Sequence, residues 1–192
     1  MQFGRRSLLA GGASLALPSA LIGTARAQRA APLRFVPSPP LPALDPIVAT
    51  SYVIRNHGYL VYDTLFATDE QYRVRPQMVQ HWETAPDGLA WTFELRDGLV
   101  FHDGAPVTSA DCIASIRRWS ARDAFGQTMA AAVEGYAAKD ARTFTITLKR
   151  PFPLMTEALG KLSSNVPFIM PERIAATDPS RPIVDAMGSG PW

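Results

Sequence analysis

The chain has 192 residues, with 19 Lys and Arg against 17 Asp and Glu, 3 His and a single Cys. One cysteine excludes an intrachain disulfide, a CxxC redox pair and a cysteine-rich zinc site. Arg5, Arg6 and Arg26 fall in a leading stretch that holds no acid. The remainder is therefore close to neutral and lacks the concentrated basic surface that nucleic acid or an anionic membrane requires.

Residues 1–27 read as an export leader. Arg5 and Arg6 form a basic start, an apolar run extends from Leu8 to about Gly23, and Ala25-Arg26-Ala27 is an A-x-A-like cleavage site. Processing between Ala27 and Gln28 is expected. The run is short and rich in Gly, Ala and Ser, which disfavours a membrane span. Paired arginines before Ser7-Leu8-Leu9 resemble a twin-arginine signal; an ordinary Sec leader and a retained anchor are the alternatives.

In residues 28–192, the apolar run Leu33 to Val36 predicts a first strand ending at Pro37. Pro37, Pro39, Pro40, Pro42 and Pro46 then impose an extended segment poor in donors. From Val48 to Phe66, Val53/Ile54, His57, Leu60/Val61 and Leu65 recur at helical spacing. Gly58 within that stretch costs a helix about 1 kcal/mol relative to Ala. His57, on the apolar stripe, reads as a core histidine with its ring satisfied. Tyr62-Asp63-Thr64-Leu65 is expected to pack this helix on a sheet. Asp69 to Arg75 is polar and turn-like, and Pro76 can open a short helix through Gln80.

The stretch from Trp82 to Asp111 reads as strand, turn, strand, turn, short strand, turn and helix start. Asp87-Gly88, Asp97-Gly98 and Asp103-Gly104 mark tight reversals, since Gly takes positive φ and Asp bonds its own following backbone. Trp91, Phe93 and Leu95 alternate with Thr92, Glu94 and Arg96, the period of a half-buried strand. Thr108 and Asp111 have capping-box spacing and open a helix to about Ala121. Cys112, Ile113, Ile116 and Trp119 form its buried stripe, with Arg118 and Arg122 directed away. Trp82, Trp91 and Trp119 are assigned to the core, where Cys112 acts as a small hydrophobe.

Beyond it an Ala-rich helical turn runs through Ala132. Val133 to Ala138 and Thr143 to Leu148 predict a hairpin in which Phe144, Ile146 and Leu148 alternate with threonines. Leu154 to Leu162 reads as a helix behind Pro153, Val166 to Met170 as a short strand, and Pro171 to Ala176 as a last helical turn. There is no G-x-S-x-G elbow and no phosphate-cradling glycine loop outside the leader, so no enzyme and no cofactor are predicted. His57, His81 and His102 form neither HExxH nor an i,i+4 pair, so no metal site is predicted. A binding module instead needs a cleft of aromatic and polar groups. Arg122 and Phe125, leaving a helix end together, are the best candidates here.

The order W-x-x-x-x-D-G-x-x-W-T-F-x-L-R-D-G-x-x-F-H-D-G-x-P-V-T-x-x-D over Trp82 to Asp111 resembles the signature of the family 5 solute-binding proteins. These are the extracytoplasmic receptors of peptide, nickel and opine-type ABC importers. Leu44-Asp45-Pro46, Tyr62-Asp63-Thr64-Leu65 and Gly188-Ser189-Gly190-Pro191-Trp192 fit the same family in order, while Cys112 and Ser189 depart from its usual residues. The resemblance implies an α/β chain, the N-terminal part of a two-lobed type II clamshell. Residues 28–192 would supply the start of lobe one and most of its inserted small subdomain. Ser38, near the cleft after the first strand, Arg122, Phe125 and Trp192, beside the hinge-like Gly188-Ser189-Gly190-Pro191, become ligand-contact candidates. It further implies capture of a peptide or similar small polar solute by a monomer in the periplasm, for an inner-membrane ABC permease. Without the second lobe, the chain alone is expected to bind weakly or not at all. A small secreted interaction or structural module is the competing expectation.

Overall fold

A computed structural model describes residue 34 and residues 36–192. The leader, with Arg5, Arg6 and the Ala27–Gln28 junction, lies outside the described residues, as do Leu33 and Phe35 of the expected first strand. Elements follow in the order α1 (Tyr52–Val61), β1 (Phe66–Thr68), β2 (Val74–Pro76), β3 (Val79–Thr84), β4 (Ala90–Leu95), α2 (Ser109–Ser120) and α3 (Ala124–Ala130), then β5 (Val133–Ala138), β6 (Thr143–Leu148), α4 (Met155–Leu159) and α5 (Glu172–Ala175).

Strands β3-β4-β6-β5 form an antiparallel sheet in that spatial order. Its register sets Trp91 opposite Ile146 and Phe93 opposite Phe144, so the alternating apolar residues of β4 and β6 share one buried face. Phe93 stacks on Phe144 with centroids 5.2 Å apart and meets Phe66 edge-on at 6.0 Å. The opposite face is polar, with Thr92 and Thr145 hydroxyls 3.3 Å apart. Both outer strands slip register once, β3 between Val79 and His81 and β5 between Val133 and Gly135. The Asp-Gly reversals turn at Gly88, Gly98 and Gly104 with φ of 71°, 74° and 83°, as the sequence requires.

Helix α2 lies against the sheet and organises the segment that follows the hairpin. Its capping box is formed: Thr108 N–H donates to Asp111 Oδ2 at 2.8 Å and Asp111 N–H to Thr108 Oγ1 at 3.5 Å, with Thr108 Oγ1–H also donating to Asp111 Oδ2 at 2.6 Å. Cys112, Ile116 and Trp119 are fully buried. Burial, and secondarily the charge of Asp111, pushes the Cys112 thiol far up, so it stays protonated and inert. Polar groups on the same helix satisfy the backbone of residues 165–172. Asp111 Oδ1 accepts from Glu172 N–H at 2.7 Å, Ser115 Oγ exchanges bonds with Met170 N–H and C=O, and Trp119 Nε1–H donates to Asn165 O at 2.6 Å. Residues 111, 115 and 119 stand one turn apart on one face. The expected strand at Val166–Met170 is therefore not a strand, apart from one bridge between Phe168 and Thr64. Helix side chains take the backbone partners that a ladder would have supplied.

Arg118 corrects the expectation that it faces away. It is 2% exposed and pairs with Asp45, itself fully buried, at 2.7 Å. Its guanidinium also donates to the carbonyls of Thr177 and Arg181. Asp45 accepts in turn from Ile47 N–H and Ile183 N–H, each at 2.8 Å. One buried ion pair thus ties α2 to the Pro-rich segment and to residues 177–183. Arg118 Nε–H alone has no partner.

Other departures have local causes. Pro76 closes β2, the partner of β1, instead of opening a helix, because Asp69 holds the intervening turn. Its carboxylate accepts from Gln71 N–H, Arg73 N–H, Arg73 Nε–H and Arg75 Nε–H, and the Arg73 backbone bond leads in holding its pKa below the carboxylate range. Helix α1 stops at Val61, leaving Leu65 in the core beyond it and Leu60 exposed. Gly58 is tolerated inside it because a Cβ there would stand 2.5 Å from Phe168 Cε2. His57 is half-buried and its Nδ1 has no partner, so the ring is not satisfied; burial lowers its pKa. Trp82 is 37% exposed, at the open end of an edge-on contact with Phe66, rather than in the core. Val100 makes only a bridge to Pro106, and the helix expected over Leu154–Leu162 contracts to α4.

Replacing Arg118 by Met leaves the Asp45 carboxylate buried without its counterion, which costs about 3–5 kcal/mol. The Arg118→Met protein is expected to melt roughly 10 °C below wild type by calorimetry. Replacing both partners with apolar residues is expected to cost less than that single change. Equal melting of Arg118→Met and wild type would contradict the buried pair.

Candidate functional site

Three stretches far apart in sequence converge at the C-terminal end of α1. Gly190 N–H donates to Val61 O at 2.9 Å and Trp192 N–H to Leu60 O at 3.0 Å, laying residues 188–192 as a strap across the helix end. His102 grips the strap from the other side: its N–H donates to Gly188 O, and its Nε2–H to Gly190 O at 2.8 Å. Ser189 Oγ–H donates to Asp63 Oδ2 at 3.0 Å, while Asp63 Oδ1 accepts from Gln77 Nε2–H. Gln77 Oε1 accepts from Thr64 N–H. Close approach demands glycine here, since a Cβ on Gly188 would overlap the Val61 carbonyl oxygen.

Tyr62 packs beside Gly188 of the strap and within range of the Asp45 and Arg118 charges. It is 1% exposed, touches Phe168, and its hydroxyl has no partner. Burial, with the charges of Asp45 and Asp185 adding, pushes its pKa far up and keeps it neutral. The arrangement is a positioning device: the Asp63 carboxylate gathers Ser189 of the strap and Gln77, and the buried Asp45–Arg118 pair lies close by. Among the described residues no three His, Cys, Asp or Glu side chains gather as a metal site.

The four sequence-derived ligand contacts occupy separate places. Ser38 is exposed in the Pro-rich segment. Arg122 is exposed at the corner between α2 and α3, where its N–H donates to Trp119 O. Phe125 belongs to α3, not to a loop. It is half-buried, 6.1 Å from the Phe152 ring, while Asp123 caps the helix by accepting from Phe125 and Gly126 N–H. Lys161 Nζ pairs with Asp123 at 2.5 Å and fixes that corner. Trp192 is 79% exposed although its backbone is pinned. None of the four lines the open concavity of about 360 Å³ between α2 and β5, where Arg117 lies 5.0 Å over the Tyr136 ring. Asp63, Gln77 and His102 escaped the sequence reading as a cluster; their only signal was that two of them stand inside quoted motifs.

Residues 73–192 match the family described as bacterial extracellular solute-binding proteins, family 5 Middle. The chain belongs to this family. A Sinorhizobium fredii protein named as a probable peptide ABC transporter periplasmic-binding protein is 39% identical over 196 aligned residues, covering 100% of this chain and 36% of that protein. The chain thus spans about a third of that relative's length. Among solved structures, the binding protein AgaA of A. tumefaciens R10, in complex with agropinic acid, superposes with a TM-score of 0.65 at 27% identity, over 78% of this chain and 30% of that one. Haemophilus influenzae OppA, in complex with the peptide RPPGFSPFR, gives 0.62 at 23% identity, over 77% and 32%. The described residues therefore carry part of the two-lobed periplasmic-binding-protein fold, and three family motifs meet physically: Tyr62-Asp63-Thr64, Phe101-His102-Asp103-Gly104 and Gly188-Ser189-Gly190.

Gly188→Ala is expected to lift the strap from α1. Hydrogen exchange at the Gly190 and Trp192 amides should then accelerate at least about tenfold, as a locally opening unit, while β4 and β6 amides keep their protection. Unchanged exchange at both amides would show that the strap does not depend on that close approach.

Proposed function

We propose that the chain is the leading part of an extracytoplasmic receptor that captures peptides or similar small polar solutes and hands them to an inner-membrane ABC permease. The observation that carries this reading is the alignment of the whole chain, at 39% identity, with a peptide-transport binding protein. Export through the leader of residues 1–27 would place residues 28–192 in the periplasm. Two-lobed receptors work by population shift: a ligand that touches both lobes favours the closed state by its differential contacts. A rigid strap beside a pinned but exposed Trp192 suits the lobe boundary in such a machine. Ser38, Arg122, Phe125 and Trp192 are the contacts this part would contribute. The contacts of the opposing lobe come from sequence beyond the matched third of the relative, so residues 28–192 alone bind weakly or not at all.

Titration calorimetry tests this on two proteins. Residues 28–192 alone should give no saturable heat with dipeptides, oligopeptides or nickel chelates. A chimera joining residues 28–192 to the part of the Sinorhizobium relative that follows the matched region should bind an oligopeptide with micromolar or tighter Kd. Micromolar binding by the isolated chain, or a folded chimera that binds none of these ligands, would refute the proposal.

A further inference from the structure

The concavity between α2 and β5 has a local cause. Pairing of β5 with β6 slips between Val133 and Gly135, which leaves Glu134 out of the ladder. A slip of this kind bends an edge strand and re-aims its side chains. Gly135 adds nothing to fill the space, since a Cβ there would meet no atom within 4 Å. Buried Val133 and half-buried Ala130 supply apolar lining, and the half-buried Tyr136 ring stands beside them. Arg117, near the end of α2, lies over that ring. Among the described residues, Arg73, Arg75, Arg118, Arg142 and Arg173 each pair with a carboxylate, whereas Arg117 pairs with an aromatic face instead. Stacking holds the guanidinium plane and leaves its N–H edge open for a bidentate carboxylate. Burial, ahead of the opposing charge of Arg117, raises the Tyr136 pKa and keeps the phenol neutral. Glu134 is exposed at the slip and adds a negative charge to the same lining.

We infer that this concavity is a small-molecule site separate from the four candidate contacts, and that it takes a monocarboxylate with an apolar body. The carboxylate meets the N–H edge of Arg117, while the body lies against Tyr136, Val133 and Ala130. Glu134 limits the ligand to one negative charge, because a second would be repelled at the same rim. The volume of about 360 Å³ falls at the small end of the range for ligand pockets, roughly 300–1,000 Å³. An open site with one charged anchor holds its ligand weakly, at millimolar Kd, outside the micromolar window of the calorimetric test above. All of its groups come from this chain, so it is present whatever solute the receptor carries.

Amide chemical shifts of the isotope-labelled full chain test the site with three probes: phenylacetate, its neutral analogue phenylacetamide and the dianion phenylmalonate. Phenylacetate should shift the Gly135 and Tyr136 amides saturably, with a millimolar Kd. Phenylacetamide and phenylmalonate should bind at least about tenfold more weakly, the first for want of a charge-assisted hydrogen bond and the second by repulsion from Glu134. Arg117→Gln should weaken phenylacetate by a similar factor and, since Arg117 is exposed, keep the wild-type Tm. Tyr136→Leu removes the stacking platform and should weaken it several-fold; if that variant unfolds, Arg117→Gln still decides the matter. Arg150→Gln, at an exposed arginine beyond β6, should leave binding unchanged. Equal binding of phenylacetate and phenylacetamide would overturn the proposal, because the concavity would then be an apolar groove only. So would equal binding by wild type and Arg117→Gln, or no saturable shift at all. Shifts confined to Arg122, Phe125 or Trp192 would move the acid to the candidate contacts of the receptor and refute the separate site, leaving the receptor reading intact.

Discussion

The pairing of Asp45 with Arg118 is the constraint around which the rest of the fold is arranged. Both groups are withdrawn from water, so each is tolerable only in the presence of the other and of the surrounding backbone donors and acceptors. Those backbone groups belong to residues 47, 177, 181 and 183. Satisfying one ion pair therefore fixes the entry of the chain, the middle of α2 and the segment after α5 at once. An apolar contact could bury the same area, but it would not specify which carbonyl sits where.

Helix α2 extends the same logic along its length. Its apolar side chains meet the sheet, while Asp111, Ser115 and Trp119 hold an irregular segment by its backbone. Buried backbone groups must find partners, and here a helix supplies them where a strand could have done so. The consequence reaches the functional region through Tyr62, Asp63 and Phe168, which connect α1, that held segment and the glycine strap. Together these contacts make a fixed base at the C-terminal end of α1.

Much of this was legible in the sequence wherever the information is local. Asp-Gly pairs located the reversals, the Trp91-Phe93-Leu95 alternation located β4, and Thr108 with Asp111 located the start of α2. The threonine-interleaved run of β6 and its hairpin partner were equally plain. Arg118 was misjudged because helical periodicity describes one element, whereas its partner lies 73 residues away. The segment at 166–170 failed for a related reason: a short apolar run signals burial without saying who takes its backbone bonds. Pro76 was misread because φ near that of a helix also suits the end of an edge strand. The candidate ligand contacts were the least legible: Ser38 and Trp192 rest on the family resemblance, Arg122 and Phe125 on their place at a helix end, and Phe125 is partly engaged with Phe152.

The displaced pairing in β3 and again in β5 bears on how copies of this chain treat one another. A sheet whose flank offers an even row of amides and carbonyls is a template for any neighbouring strand. Here the rhythm breaks once on each flank, so an approaching strand loses step after a few residues. Each flank of this sheet is thereby a poorer template for edge-to-edge pairing than an unbroken strand would be.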